Sequence, residues 1–364
     1  MKIGIVGGGI SGTYLALQIK ELHSNYDVVI FEHNDKLNKK IYATGNGKCN
    51  FANAGSLLDK YNNEEFVLPI LNKYGYKEIA NYFDSIGIPN ILEGNNAYPM
   101  SKSAVTVGMM MENRVKELGI EVKLSYKVID YKLNQNKTIT VISENEETNV
   151  DKLVFASGGK SSSQLGSDGS CFDILTKHNY KISDLSPVLC PMKTKENTKL
   201  VDGVRSDVVL SVYRKDKLIH QEAGELLFKD KGISGIVTFN ASHYVNKTNK
   251  QNITFHIDFA NLAKGKIEYK DYVKYVNPKL ANYLVNNKQD IHNVIFAFKD
   301  FYDFSVAHVT HGGVELSELK ANSLESNKEN NVYFIGEILN IDGICGGFNM
   351  MWAFSSAYKL ANEL

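Results

Sequence analysis

The chain has 364 residues, of which 43% are hydrophobic and 23% charged, and its 41 Lys and Arg balance 41 Asp and Glu. That length exceeds the roughly 250–300 residues over which a single core grows, so two domains, or one domain carrying an insertion, are expected. The charge balance argues against a broad nucleic-acid-binding face, and no apolar run approaches the ~18–20 residues of a membrane span.

The amino-terminal KIGIVGGG has the β-branched composition of a short buried strand, and ISGTYLALQIKELHSNY has the spacing of a helix with apolar positions at Leu15, Ile19 and Leu22. Between them, Gly7-Gly8-Gly9-Ile10-Ser11-Gly12 matches GxGxxG in the strand-to-helix context that gives the pattern meaning. Gly7 permits the tight turn, Gly9 permits backbone approach to a pyrophosphate, and Gly12 permits close helix–strand packing. The helix amino terminus offers unpaired N–H groups to the phosphates. A second strand, DVVIFE, ends in Glu32, 20 positions after Gly12, where a ribose-binding carboxylate belongs. An acid there favours FAD or NAD over NADP. The glycines break this apolar stretch, so it is not a secretion signal, and a cytoplasmic location is expected.

After Glu32 comes HNDKLNKKIYATGNGKCNFANAG, without strand periodicity. Its glycines and asparagines suit close approach to a large flat ligand, with Lys39, Lys40 or Lys48 available to phosphate charge. Segments 121–127, 137–143 and 150–156 read as a three-piece meander, the last ending in Ala156-Ser157-Gly158-Gly159. VAHVTHGG reads as strand then turn rather than as a helix pairing His308 with His311, so no metal is expected there. The cysteines, Cys49, Cys171, Cys190 and Cys345, are far apart and lack the CxxC spacing of a zinc site. Near the carboxyl end, a strand leads to Gly336-Glu337. The pair Gly346-Gly347 then precedes an amphipathic helix bearing Met351, Phe354, Tyr358 and Leu360. The amino end of that helix would stabilise negative charge on a flavin's pyrimidine edge.

These segments, with AYPMSKSA, LVFASGGKS, LGSDG, LSPVLCPM, GELLFKDKGISG, VTHGGVEL and VYFIGEILNIDGICGGFNMMWAFSSA, run in order from end to end. On them the chain resembles the HI0933-like flavoproteins, the YhiN/BaiN-like or aminoacetone oxidase group of FAD-dependent oxidoreductases. The resemblance implies an α/β, Rossmann-like, two-part FAD-binding domain of parallel sheet plus β-meander, with an inserted β-rich domain and a small helical cap. The expected boundaries are 1–187 and 306–364 for the two parts of the FAD domain. Residues 188–305 form the insertion, β-rich over 188–257 and helical over 266–303. Gly7, Gly9, Ser11 and Gly12 would meet the pyrophosphate, and Glu32 the adenosine ribose. Lys40, Thr44, Gly45, Asn46, Gly47, Cys49 and Asn50 would line the cofactor. Val128, Ala156, Ser157 and Gly158 would lie by the adenine, and Gly336, Glu337, Gly346, Gly347, Phe348 and Asn349 by ribityl and isoalloxazine. Asn46, Lys48, Ile236, Asn340, Cys345 and Phe348 depart from the residues usual in the family.

The expected chemistry is hydride transfer between the flavin and a small organic substrate, with NAD(P)H or oxygen as electron partner and neither nucleic acid nor membrane as partner. His308, His311, Glu337 and Asp342 are nominated as acid or base, without assignment. Cys49 and Cys345 both fall in cofactor-side loops, where packing is the expected role rather than a redox pair. The alternatives are an NAD-dependent dehydrogenase and a non-enzymatic flavin-binding redox or RNA-associated protein.

Overall fold

The computed structural model describes residues 1–364 apart from Lys247, Asn249 and Lys264. The chain divides into two compact units, Met1–Leu185 with Thr310–Leu364, and Ser186–Val309. Both chain ends therefore build the first unit. No helix among the described residues is long and apolar enough to cross a membrane.

The first unit is built on a five-stranded sheet in the order Val332–Phe334, Lys152–Phe155, β1 (Lys2–Val6), β2 (Asp27–Phe31), Glu121–Lys123. Its pairings are parallel, with Ile5 opposite Ile30 on one side and Val154 on the other. Parallel strands covered on both faces need continuous apolar runs, and Ile3, Ile5, Val29, Ile30, Leu153 and Val154 are all fully buried. Helix α1 (Ile10–Leu22) crosses between β1 and β2. Leu15 and Ile19 lie in the core, but Leu22 ends the helix 46% exposed, outside the apolar stripe expected for it. The last helix, Phe348–Ala361, meets α1 through Tyr14, whose ring stacks edge-on to Phe354 with centroids 4.9 Å apart. Burying each large side chain of this seam contributes about 1.5–3 kcal/mol.

The meander exists, but from different pieces. Val128–Leu133, Ile139–Ser143 and Glu147–Val150 form the antiparallel sheet, whereas Glu121–Lys123 and Lys152–Phe155 pair in parallel with β2 and β1. The outer two expected pieces thus belong to the main sheet. Short apolar runs do not announce which partner completes their ladder.

In the second unit, six strands close into a barrel: Met192–Thr194, Gly232–Ser234, Lys217–Lys229, Arg205–Arg214, Ile253–Asp258 and Val294–Phe301. Helices Ile236–Asn246 and Pro278–Asn286 complete it. The helical reading of 266–303 fails in its second half, because Val294–Phe301 is a strand. Its burial alternates: Val294, Phe296 and Phe298 are buried while Ile295 is 39% exposed, which is period two rather than 3.6. Phe296 pairs with Phe255, and the same strand's far edge pairs with Met192–Thr194, which closes the barrel and leaves no open edge there. Phe296→Ala should cost about 3–5 kcal/mol and lower the urea midpoint, whereas Ile295→Ala should stay within about 0.5 kcal/mol. Equal losses for the two variants would contradict this alternation.

Candidate functional site

The turn after β1 is shaped by what the glycines lack. A Cβ on Gly12 would lie 2.0 Å from the Gly7 carbonyl oxygen, so only glycine lets α1 start this close to the strand. A Cβ on Gly9 would meet no atom within 4 Å. The two glycines therefore have different reasons, packing at Gly12 and open space at Gly9. Ser11 is buried in the first turn of α1, and Gly9, as the N-cap, supplies no side-chain oxygen to the helix's first N–H groups. Those donors are left for another partner.

Glu32 fastens this turn. Its Oε2 accepts the Gly8 N–H at 2.7 Å, and its Oε1 accepts both the backbone N–H and the side-chain Nδ2 of Asn34, each at 2.7 Å. Beside it, Tyr126 donates its N–H to the Glu32 carbonyl at 2.9 Å, which carries the chain into the meander at Val128, itself buried. Asn38 is buried against Gly8 in the left-handed region, at φ 59°, and its own N–H bonds the Gly8 carbonyl. Neither polar atom of its side-chain amide has a protein partner.

The Gly- and Asn-rich loop follows. Ile41–Gly47 is interrupted by non-helical geometry at Thr44, Gly45 and Asn46, the last two left-handed at φ 54° and 52°. Glycine and asparagine tolerate that region best, which explains the composition of ATGNG. Lys40 Nζ lies 2.8 Å from Glu337 Oε2, whose other oxygen accepts the Thr310 N–H at 2.9 Å. Lys39 instead turns to Asp35 at 2.8 Å, and Lys48 is exposed. Downstream, Asn53 donates to the Gly346 carbonyl at 2.8 Å, and a Cβ on Gly347 would meet the Ala52 carbonyl at 2.6 Å and the Asn50 side-chain amide at 2.7 Å. The loop thus lies directly against the amino end of the last helix.

The remaining segments close in on the same turn. Gly7 abuts the Ala156 carbonyl, where a Cβ would stand at 2.6 Å, and Gly158 (φ 74°) lies against the Ser167 hydroxyl, with Ser157 between them. Gly336 lies over Ser11, held by its N–H to Ser356 Oγ at 3.0 Å and by Trp352 Nε1 to its carbonyl at 3.1 Å. Phe348 is buried and its carbonyl accepts the Tyr61 hydroxyl at 2.8 Å. Asn349 uses both ends of its amide on Gly343, so its side chain pins the Gly343–Gly347 loop.

Of the nominated acid–base residues, three share the first unit. His311 Nδ1 is 2.7 Å from Oδ1 of the fully buried Asp342, and Glu337 is linked through Thr310, the neighbour of His311. A carboxylate only accepts, so this bond places a hydrogen on Nδ1 and leaves Nε2 as the variable nitrogen. His308 belongs to the second unit, its ring 5.1 Å from that of Phe239. Asn53, Tyr61, Thr310, Trp352 and Ser356 also build the site. Asn53, inside KCNFANAG, and Thr310, Trp352 and Ser356, inside VTHGGVEL and MMWAFSSA, lay in segments that carry the family resemblance, whereas Tyr61 did not.

Among the described residues no group of three or more His, Cys, Asp or Glu could hold a metal. The turn thus presents a helix amino terminus with open space beside Gly9, a buried carboxylate already accepting three N–H groups, and an orphaned amide at Asn38.

The chain matches the HI0933-like protein Rossmann domain family over residues 1–363 and belongs to it. It is thereby placed among the flavoprotein oxidoreductases. It is 27% identical to the 3-dehydro-bile acid delta(4,6)-reductase of Clostridium scindens, covering 98% of this chain and 97% of that one. It is 25% identical to the ribosomal RNA dihydrouridine synthase of Haemophilus influenzae, covering 98% and 96%. Among solved structures, the 3-ketosteroid-delta4-(5alpha)-dehydrogenase of Rhodococcus jostii RHA1 has the same fold, with TM-score 0.50, 11% identity and coverage of 99% and 96%. The E. coli quinol fumarate reductase FrdA also matches, with TM-score 0.51, 12% identity and coverage of 100% and 70%.

The cysteines are free thiols, and burial pushes Cys49 and Cys190 up to about 12 and Cys171 up to about 11. Thiolate is the reactive form, and at pH 8 a thiol of pKa 12 is ionised in only about one molecule in 10⁴. Ellman's reagent at pH 8 should therefore label Cys345 alone in the native protein and all four cysteines after unfolding. Fast modification of two thiols in the native state would restore Cys49 as a redox candidate.

Proposed function

We propose that this protein is an FAD-dependent oxidoreductase that adds hydrogen across a carbon–carbon double bond conjugated to a carbonyl. The observation that supports the reading is that, within one unit, Gly7 abuts Ala156, Gly336 lies over Ser11, and the loop from Lys40 to Asn53 meets Glu337, Gly346 and Gly347, while Gly9 faces open space. In this reading Gly7, Gly9, Ser11 and Gly12 hold the pyrophosphate and Glu32 the adenosine ribose. Lys40, Thr44–Gly47 and Asn50 flank the cofactor, Glu337 and Gly346–Phe348 meet the flavin, and Cys49 and Asn349 support from behind. Asn38 joins them as an unforeseen donor.

Bound FAD supplies the hydride, and NAD(P)H or another reductant renews it. The protein supplies position and the proton. Asp342 fixes the His311 ring by its 2.7 Å bond, which leaves Nε2 as the atom that would carry a proton to a substrate bound beside it. Lys40 and Glu337 neutralise each other, so a flavin held beside them would meet no uncompensated charge.

The substrate class is supported by the names of the relatives. A delta(4,6)-reductase of a 3-dehydro bile acid and a dihydrouridine synthase both describe saturation of a ring double bond beside a carbonyl. The first favours a free small molecule. A second reading, a pyrimidine within RNA, is favoured by a surplus of positive charge in the inserted unit.

Purified protein should show the two-peaked visible spectrum of oxidised flavin, bleached anaerobically by NADH or NADPH and restored by a 4-en-3-one or by uridine-containing RNA. Colourless protein that stays colourless with added FAD would favour an NAD-dependent dehydrogenase instead. Gly9→Ala should leave the melting midpoint of the apoprotein nearly unchanged, since the methyl meets nothing, yet weaken FAD binding at least tenfold, about 1.4 kcal/mol. Gly12→Ala should destabilise the apoprotein itself. His311→Asn should slow the substrate half-reaction about 10²-fold while leaving the spectrum and bleaching by NAD(P)H intact. An unchanged substrate half-reaction would remove His311 from proton transfer.

A further inference from the structure

The neutral total conceals two units of opposite sign. Ser186–Val309 holds 18 Lys and Arg against 13 Asp and Glu, net +5, and the first unit holds 23 against 28, net −5. Within the inserted unit, three of these cations meet where strand Arg205–Arg214 reverses into Lys217–Lys229 through Arg214-Lys215-Asp216-Lys217. Lys215 is left-handed at φ 54°, as the tight reversal demands. Arg214, Lys215 and Lys217 line, with Ile219 and Thr248, an open cavity of about 300 Å³.

Several other cations of this unit have partners. Arg205 pairs with Glu225, Lys274 with Asp271 and Lys266 with Glu268, while Lys193 and Lys229 lie over the Tyr302 ring and Lys250 over Phe301. Among the described residues, Arg214, Lys215 and Lys217 have no carboxylate within ion-pair distance, although exposed Asp216 sits in the same turn. Arg214 and Lys217 moreover face each other directly across the ladder. Like charges in directly opposite positions destabilise a strand pair, so the hairpin end carries a repulsion that an anion between them would relieve.

We propose that this hairpin end is a docking site for the phosphodiester backbone of RNA, with Arg214, Lys215 and Lys217 meeting successive phosphates. The inference rests on the second reading above, in which the reduced ring is a pyrimidine within RNA. Three cations at one strand reversal suit a repeating anion better than a ligand with a single carboxylate. Guanidinium adds bidentate contact where the two ammonium groups act as point charges.

The test uses the full FAD-loaded protein and a fluorescent uridine-rich single-stranded RNA of about 20 nucleotides, followed by anisotropy. Three phosphate contacts to a single strand give a log–log salt slope of about −2, so affinity should fall about twentyfold between 50 and 200 mM salt. Arg214→Gln with Lys217→Gln should bind at least tenfold more weakly, with a shallower slope. Because the pair removes a repulsion, it should melt no lower than the parent and keep the flavin spectrum, so weak binding cannot be put down to misfolding. RNA that is not retained at 50 mM salt, or that binds the double variant as tightly as the parent, would overturn the proposal. So would a variant that leaves RNA affinity unchanged and raises only the KM of a free anionic steroid. Failure of NAD(P)H to bleach the flavin would instead strike the reductase reading and leave the RNA result standing by itself.

Discussion

The buried carboxylate of Glu32 is the point on which the first unit depends. Taking a carboxylate out of water is costly unless its lone pairs are used, and here three N–H donors from Gly8 and Asn34 use them. Those bonds tie the β1–α1 turn to the end of β2. Through the backbone of the same residue, which donates to Lys123 and accepts from Tyr126, the fifth strand and the start of the meander are tied in as well. One residue thus fixes the geometry of the turn whose outward side, at Gly9, lies open. A motif ordinarily described as ribose-binding has a structural duty that precedes any ligand.

Around that node, close approach of backbones does the rest. Gly12 against the Gly7 carbonyl and Gly347 against the Ala52 carbonyl are contacts that a single methyl group would forbid. They bring the two ends of the polypeptide to one place, where Lys40 and Glu337, 297 positions apart, form an ion pair. Partly buried pairs of this kind contribute little net stability, so the pair is better understood as setting the charge and position of two side chains at the candidate flavin face. The aromatic seam of Tyr14, Tyr82, Phe354 and Tyr358 packs α1 against the last helix.

Much of the cradle was legible in the residues. GxGxxG after a β-branched run, an acid 20 positions on, and a glycine pair before an amphipathic helix each follow from local requirements of turn, dipole and close approach. Where local signals were ambiguous, the reading failed. VIFAFKDF suits a buried helix face or a strand, and only its partners on both sides make it the strand that closes a barrel. Pieces 121–127 and 150–156 were correctly strand-like but wrongly placed in the meander, since a ladder's partner is a long-range fact. Tyr61 carried no mark in the sequence, and Thr310 and Trp352 were marked only by lying in VTHGGVEL and MMWAFSSA, because what each bonds to is set by the fold.

The sequence by itself determined the fold class, the family and the list of glycines, since these depend on residue type and spacing along short stretches. Only the tertiary structure decided that Asp342 orients His311, that Asn38 is left with an unbonded amide, and that the charges segregate into a negative unit and a positive one. The physical reason is the same in each case. Hydrogen bonds, ion pairs and fields act through space at a few ångströms, and a linear order of residues does not contain those distances until the chain has folded.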